Sequence, residues 1–211
     1  METTKTNNQV TIKGKVLYDF KFDHETRDMK FYKTELEINR FSGVTDRVPL
    51  IVSDRLLQDK LLEKVNINGQ SIKVYGDFRS FNYHENNNHH LVLYVYAHDI
   101  EVDLSNEEVY ENNIHLDGYI CKKSLYRETP LGREITDLLI AVNRPCGKSD
   151  YIPCVCWGRT ARYADTLDVG QNLKLDGRIQ SREYQKRLSE TEIETRVAYE
   201  MSVGKLECLE D

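Results

Sequence analysis

The sequence lacks the features that define several classes of protein. No apolar run approaches the roughly 18 residues that span a bilayer, and the opening letters METTKTNNQ have no apolar core of the kind that a secretory signal needs. Glycine and proline number only 11 and 4 among 211 residues, which excludes collagen-like and low-complexity chains. We therefore expect a globular protein that stays in the cytoplasm and has no membrane partner.

Cysteine is scarce and unevenly spaced. The five cysteines are odd in number and lack the dense spacing of a disulfide framework, so we expect reduced thiols. Cys154 and Cys156, with Cys146 and His115, could be proposed as zinc ligands. Alternate positions of a strand are more often small core residues than ligands, so no metal is expected.

Catalytic motifs are absent as well. The chain has neither a phosphate-cradling GxxxxGK[S/T] loop nor a Gly-x-Ser-x-Gly elbow. His84, His89 and His90 are interpreted as solvated residues of a hairpin loop, since no carboxylate constellation accompanies them. We expect no enzymatic activity and no cofactor.

An internal repeat organises what is present. Gly14, Asn39-Arg40 and Asp46 recur 104 positions later as Gly118, Asn143-Arg144 and Asp150. Further along, the spacing falls to 101 positions, where Gly76, Ser80 and Tyr83 recur as Gly177, Ser181 and Tyr184. Because order and register hold across several strand-like segments, we interpret the chain as a tandem duplication. The predicted domains are 1–104 and 112–211, joined by an acidic linker at 105–111.

Each half is predicted to be the same small barrel. In the first half, alternating segments at 10–16, 32–38 and 48–52 precede a helix that Ser53 or Asp54 can cap, and segments at 72–78 and 91–97 follow it. Three strands, a helix and two strands are the order of an OB-fold. The predicted fold class is therefore all-β, with two tandem five-stranded OB-fold barrels and a short helix between strands 3 and 4 of each. We expect bends or bulges at Gly14, Gly76, Gly118 and Gly177.

Aromatic and basic side chains alternate with apolar ones in the second half. If Leu173, Leu175 and Ile179 point into the core, the outward set is Lys174, Arg178, Gln180, Arg182 and Tyr184. On the preceding strand, Tyr151 and Trp157 share one side, while Ile152, Cys154 and Cys156 share the other. Spacing alone leaves Trp157 either in the core or on the outer face. Rings interleaved with cations suit single-stranded nucleic acid, because bases stack on rings and phosphates need positive charge.

The two halves differ in charge. Residues 112–206 contain 15 Lys and Arg against 13 Asp and Glu, whereas residues 1–104 contain 14 against 16. The whole chain has a net charge of -6, but bulk charge says little about any one face, so charge is compared by region. Candidate phosphate partners in the second half are Arg159, Arg162, Arg178, Arg182 and Arg196.

The second half resembles the bacterial single-stranded DNA-binding protein family. The matching runs are NIHLDG at 113–118, YRETPLG at 126–132, LIAVNR at 139–144, DYIPCVCWGRTA at 150–161 and LDGRIQSREY at 175–184. Together they cover nearly the whole half. The resemblance implies an OB-fold, binding to single-stranded DNA with little sequence preference, and a nucleoid-associated role in replication, recombination or repair. It also implies base stacking on Tyr151, Trp157 and Tyr184, with Tyr126 in the same interface.

The first half departs from this pattern. The repeat places Arg47 opposite Tyr151 and Ser53 opposite Trp157, so two stacking positions are missing. Arg79, Phe81 and Tyr83 remain as candidate DNA-binding residues. We expect the first barrel to bind nucleic acid weakly or to serve as a scaffold. The acidic, aromatic tail with which the family recruits other proteins is not expected, because the sequence stops at Asp211.

Partners follow from the same resemblance. Family members commonly assemble four barrels, which predicts a homodimer of this tandem chain. RNA is an alternative ligand, because stacking rings accept either polymer. The rival function is an OB-fold interaction module that binds replication, repair or mobile-element proteins more strongly than DNA.

Overall fold

A computed structural model describes residues 6–61, 67–85, 88–103, 110–187 and 193–209 of the chain. Those ranges hold twelve strands and two short helices. Strands β1–β6 form one barrel and strands β7–β12 form the other. The predicted boundary between domains stays a prediction, because residues 104–109 lie outside the described part of the chain.

The first barrel contains six strands and one helix. Their bounds are β1 (Asn8–Val16), β2 (Lys21–Thr26), β3 (Met29–Asn39), β4 (Thr45–Ser53), α1 (Asp54–Leu61), β5 (Ser71–Glu85) and β6 (Asn88–Asp103). Helix α1 begins where expected, since the backbone NH of Leu56 donates to Ser53 Oγ at 3.2 Å.

The second barrel repeats this order. Its elements are β7 (Asn112–Ile120), β8 (Leu125–Glu128), β9 (Glu134–Asn143), β10 (Ser149–Trp157), α2 (Arg159–Asp165), β11 (Asn172–Arg187) and β12 (Ile193–Leu209). In each barrel the first strand pairs with both the third and the fifth, and a parallel pairing of the fourth with the sixth completes the ring: β4 with β6, and β10 with β12. This closed order confirms the predicted OB-folds.

Each half also has one strand more than predicted. Strand β2 pairs only with β3, and strand β8 pairs only with β9, so both lie at the outer ends of the twelve-stranded sheet. Every residue of β2 and β8 is exposed. They lack the alternation of apolar and polar residues by which the other strands were recognised, because neither face of them is buried.

Alternating apolar side chains fill both barrels. Ile12, Leu36 and Phe78 are fully buried in the first, as are Leu116 and Ile140 in the second. Burial of each such side chain contributes about 1.5 to 3 kcal/mol to stability. The repeat therefore reproduces one core pattern in both halves.

The barrels join through backbone pairing of their first strands. Strand β1 runs antiparallel to β7, with Val10 opposite Ile114 and Asn8 opposite Leu116. This pairing merges the two barrels into one twelve-stranded sheet. It leaves neither first strand as a free edge along the paired residues.

Two buried carboxylates tie the barrels together on either side of this pairing. Asp46 of the first barrel accepts a hydrogen bond from the backbone NH of Ser181 at 2.7 Å. Asp150 of the second barrel accepts one from the backbone NH of Ser80 at 2.6 Å. Because Asp46 and Asp150, and likewise Ser80 and Ser181, occupy the same repeat positions, the junction has an approximate two-fold symmetry.

The glycines on the fifth strand of each barrel, β5 and β11, stand at bulges, as expected. The β11–β12 register shifts between Asp176 and Gly177, and a Cβ at Gly177 would lie 2.1 Å from the carbonyl oxygen of Ser202. The equivalent Gly76 has the same bulge and the same 2.1 Å approach to the carbonyl of Tyr96. Only glycine fits where two backbones approach this closely.

Replacing Gly177 with alanine should therefore lower the free energy of unfolding by about 2 to 3 kcal/mol, because the clashing group is backbone and cannot swing aside. Gly204→Ala is the matched control, since its added Cβ would meet nothing nearer than 3.5 Å. Urea denaturation followed by circular dichroism measures both. Equal losses in the two variants would contradict the assigned close approach.

Candidate nucleic-acid interface

The outer face of strand β10 carries two large rings. Ile152, Cys154 and Cys156 are buried, while Tyr151 is 39% exposed and Trp157 is 37% exposed. The indole Nε1 of Trp157 donates to Ser202 Oγ at 3.2 Å, which holds the ring by its edge and leaves a face accessible. Of the two positions that spacing left open for Trp157, the structure selects the outer face.

Strand β11 places cations and a third ring beside β10. The guanidinium carbon of Arg182 lies 6.0 Å from the ring centre of Tyr184, and both residues are exposed. Arg178 is half-buried, and burial together with the positive charge of Arg40 lowers the pKa of its guanidinium.

Gln180 does not point into solvent as the alternation predicted. It is buried, and its Nε2 donates to Glu200 Oε1 at 2.8 Å. The reason is tertiary: strand β4 of the first barrel packs against β11 near this point, as the hydrogen bond from the backbone NH of Arg47 to Ser181 Oγ (3.0 Å) shows.

Four arginines and Trp157 line one cavity at the meeting point of the two barrels. Its volume is about 750 Å³. Arg133, Arg178, Arg182 and Trp157 come from the second barrel, whereas Arg40 and Val44 come from the first. None of the described residues that line it is acidic. We call it the Arg178 cavity.

Tyr126 and Arg162 lie apart from this cavity. In the register of the sheet, Tyr126 is level with the buried Thr136 and Cys156, so it belongs to the opposite face from Trp157. Its hydroxyl donates to Glu134 Oε1 at 2.8 Å, and Glu134 Oε2 lies 3.6 Å from Arg162 Nη1. Arg159, the first residue of α2, is exposed. The predicted site residues thus do not form one continuous group.

The first barrel presents rings in a different electrostatic setting. Phe81 and Tyr83 are exposed on β5, but the Tyr83 ring is already stacked on His90, with centres 4.9 Å apart and planes 13° apart. Phe81 and Tyr83 line a groove of about 840 Å³ in which the carboxylates of Asp19, Asp23, Glu25 and Glu35 outnumber the lysines, Lys21 and Lys33. The excess of negative charge opposes phosphate binding.

Arg79, the first barrel's candidate cation, is occupied inside the protein. It bonds to Asp77, and its Nη1 lies 3.2 Å from Asp150 Oδ2. It therefore serves the junction between barrels. Arg196 of the second barrel is also engaged, with Nε 2.7 Å from Glu194 Oε2.

Sequence reasoning missed Arg40, Arg47 and Arg133. Arg40 and Arg47 belong to the barrel judged weaker, and only the packing of β4 against β11 brings them beside the second barrel. The one signal in the sequence is the recurrence of Arg40 as Arg144. Arg133 directly follows the matched run at 126–132, and its position in the sequence does not mark it as a binding residue.

The cysteines considered as zinc ligands are dispersed. Cys154 and Cys156 lie in the core, where burial raises the pKa of Cys154 and raises that of Cys156 to about 12, whereas Cys146 is exposed. His115 bonds instead to Asp176 at 2.7 Å. Within the described ranges, no three His, Cys, Asp or Glu side chains are grouped as metal ligands. No helix there is long and apolar enough to cross a membrane.

Comparison with known proteins finds relatives of the second barrel. Residues 111–206 match the model of the single-strand binding protein family. Single-stranded DNA-binding protein 3 of Listeria innocua is 36% identical over 93 residues, and protein A of Bacillus subtilis is 32% identical over 96 residues. The second barrel is thus similar to the single-strand binding protein family. These matches cover 39% and 42% of this chain and 58% and 56% of the two relatives, so the chain spans little more than half the length of the relatives.

The tandem arrangement has a counterpart among solved structures. The wild-type single-stranded DNA binding protein from Thermus aquaticus superposes with a TM-score of 0.76 at 18% identity, and the match covers 97% of this chain and 93% of that one. At this identity the likeness establishes the fold alone. It extends over both barrels, including the first, which the family model does not reach.

Proposed function

We propose that this protein binds single-stranded DNA with little sequence preference, and that the second barrel supplies the stronger site. The observation that carries the proposal is the outer face where Tyr151, Trp157 and Tyr184 alternate with Arg178 and Arg182. A stacked base contributes about 1 to 3 kcal/mol whatever its identity. The sequence match of this barrel to proteins named for single-stranded DNA binding supports the same ligand.

The mechanism is binding without a covalent step. Bases leave their own stack and lie on the three rings, while arginines contact the phosphates between them. Because the contacts to the backbone are electrostatic, affinity falls as salt rises. RNA would compete with DNA for this site if no protein group contacts the 2′-hydroxyl, the group that distinguishes the two polymers. By protecting single strands, such a protein would serve replication, recombination or repair.

Alanine at Trp157 should weaken binding to oligo-dT roughly 5- to 150-fold, which corresponds to one lost stacking contact. Fluorescence anisotropy of a labelled oligonucleotide measures this, since the variant has no tryptophan to observe. Tyr163→Ala is the control, because Tyr163 is an exposed ring on α2 that lies outside the proposed interface.

The wild-type protein supplies the reference curves. Single strands should bind with a steep salt dependence, and duplex DNA of the same length should bind far more weakly. If the Trp157 variant kept its affinity and lost stability instead, the ring would be a packing element. No binding of single strands at low salt would leave a tandem OB-fold scaffold for protein partners.

The two tyrosines at equivalent repeat positions test the asymmetry between barrels in the full chain. Tyr184→Ala should weaken oligo-dT binding several-fold, whereas Tyr83→Ala should change it less than twofold, because the Tyr83 ring is stacked on His90 above an acidic groove. The same anisotropy titration measures both. Equal losses would mean that the barrels contribute equally.

We further propose that two copies associate into a homodimer with four barrels. The exposed end strands β2 and β8, and exposed apolar side chains such as Phe22, Leu125 and Leu131, support self-association. Light scattering at micromolar concentration should give twice the chain mass of 24.7 kDa. A mass equal to that of one chain would contradict the proposal.

A further inference from the structure

The approximate two-fold axis between the barrels generates two cavities where they meet. One is the Arg178 cavity. The other has a volume of about 910 Å³ and is lined by Asp77, Arg79 and His98 of the first barrel and by Arg144 of the second. We call it the Asp77 cavity. Repeat positions pair Arg40 with Arg144, but they pair Arg178 with Asp77.

Charges in the Asp77 cavity are matched inside the protein. Asp77 bonds to Arg79 and lies 2.8 Å from His98 Nε2. Arg144 donates two hydrogen bonds to the buried Asp150, from Nε to Oδ2 at 2.7 Å and from Nη2 to Oδ1. Each of these arginines therefore has a carboxylate partner, and the cavity has no need of an anion.

In the Arg178 cavity, one arginine is not matched in this way. Among the described residues, no hydrogen-bond partner is found for the buried Nε of Arg178, and its Nη2 donates to a neutral amide, Gln180 Oε1, at 3.3 Å. Arg40 bonds Asp46 through Nε and Nη2, and Arg182 stands 3.6 Å from Glu200. The described lining contains four arginines and no acidic residue, and Arg178 has no carboxylate partner among the described residues, so this cavity favours an anion with several oxygens.

We propose that the Arg178 cavity is a phosphodiester-binding site shared by both barrels, in which Arg178 and Arg40 hold the backbone of a strand whose base stacks on Trp157. The inference rests on the proposed function and adds where the strand crosses from one barrel to the other. The crossing occurs at this cavity and not at its symmetry mate, because Asp77 replaces the cation there. The first barrel thus contributes charge to the site, although its own rings bind little.

A phosphodiester fits the cavity better than a free carboxylate does. A guanidinium donates to phosphate oxygens in a planar, forked geometry, which Arg178 can supply. Arg40 bonds Asp46 through Nε and Nη2, so it adds mainly positive charge. Trp157 lines the same cavity, so a phosphate held there has its attached nucleoside within reach of an indole face. A ligand that joins a phosphate to an aromatic base satisfies both features at once.

Two variants of the full chain test the shared site, one in each barrel. Arg178→Gln removes the half-buried cation. Val44→Glu introduces a carboxylate from the first barrel, at a residue that lines the cavity and is 49% exposed, so the fold tolerates it. The matched controls are Arg55→Gln on α1 and Met29→Glu at the start of β3, both exposed and outside the cavity.

The measurement is oligo-dT binding by anisotropy at several salt concentrations, with circular dichroism to establish that each variant is folded. Arg178→Gln should weaken binding roughly 5- to 10-fold and reduce the slope of log affinity against log salt by about 0.7, the value for one phosphate contact of a single strand. Val44→Glu should weaken binding by a similar factor. The controls should stay within twofold of wild type.

Each outcome decides the inference. Wild-type binding with no difference between Arg178→Gln and Arg55→Gln would overturn the phosphate site and leave the proposed function standing. If Arg178→Gln lost affinity for oligo-dT but Val44→Glu lost no more than its control Met29→Glu, the contribution of the first barrel to the site would be overturned. If the wild-type chain itself failed to bind single strands, the proposed function would fall, and this site with it.

Discussion

The structure depends on the antiparallel pairing of β1 with β7. This pairing lets each barrel supply a buried aspartate to the other, since Asp46 reaches Ser181 and Asp150 reaches Ser80. A hydrogen bond to a charged group contributes about 1.5 to 3 kcal/mol, so these two bonds hold the barrels in one relative position. That position brings β4 against β11, and with it Arg40 to the cavity beside Trp157.

Duplication at such a junction produces two equivalent surfaces that can diverge. The core positions stay alike because both barrels must pack the same interior, as Ile12 and Leu116 illustrate. The outer positions differ: Arg47 against Tyr151, Ser53 against Trp157 and Asp77 against Arg178. These differences remove stacking rings from the first barrel, but they do not remove its contribution to the surface beside the second barrel. Arg40 and Arg47 face the second barrel across the junction, so its surface is composed of both.

Much of this architecture could be predicted because it depends on local patterns. Alternation identified the five strands of each barrel and placed Tyr151 outward, and the repeat located the glycines at the bulges. Strands β2 and β8 were not predicted from the sequence, because both are exposed throughout and each is held by pairing with one neighbouring strand. Tyr126 was grouped with the stacking rings on resemblance alone, whereas the register of β8 with β9 sets it on the other face.

The duplication, the OB-fold and the aromatic and basic outer face of the second half follow from the sequence, since strand periodicity and repeat register are local properties of the chain. Which charges remain unmatched depends on how the two barrels pack. Gln180 became buried, Arg79 was drawn to Asp150, and Arg40 came to line a cavity with Arg178. Electrostatic pairing depends on which groups meet within a few ångströms, and residues more than a hundred positions apart meet only after the two barrels have packed.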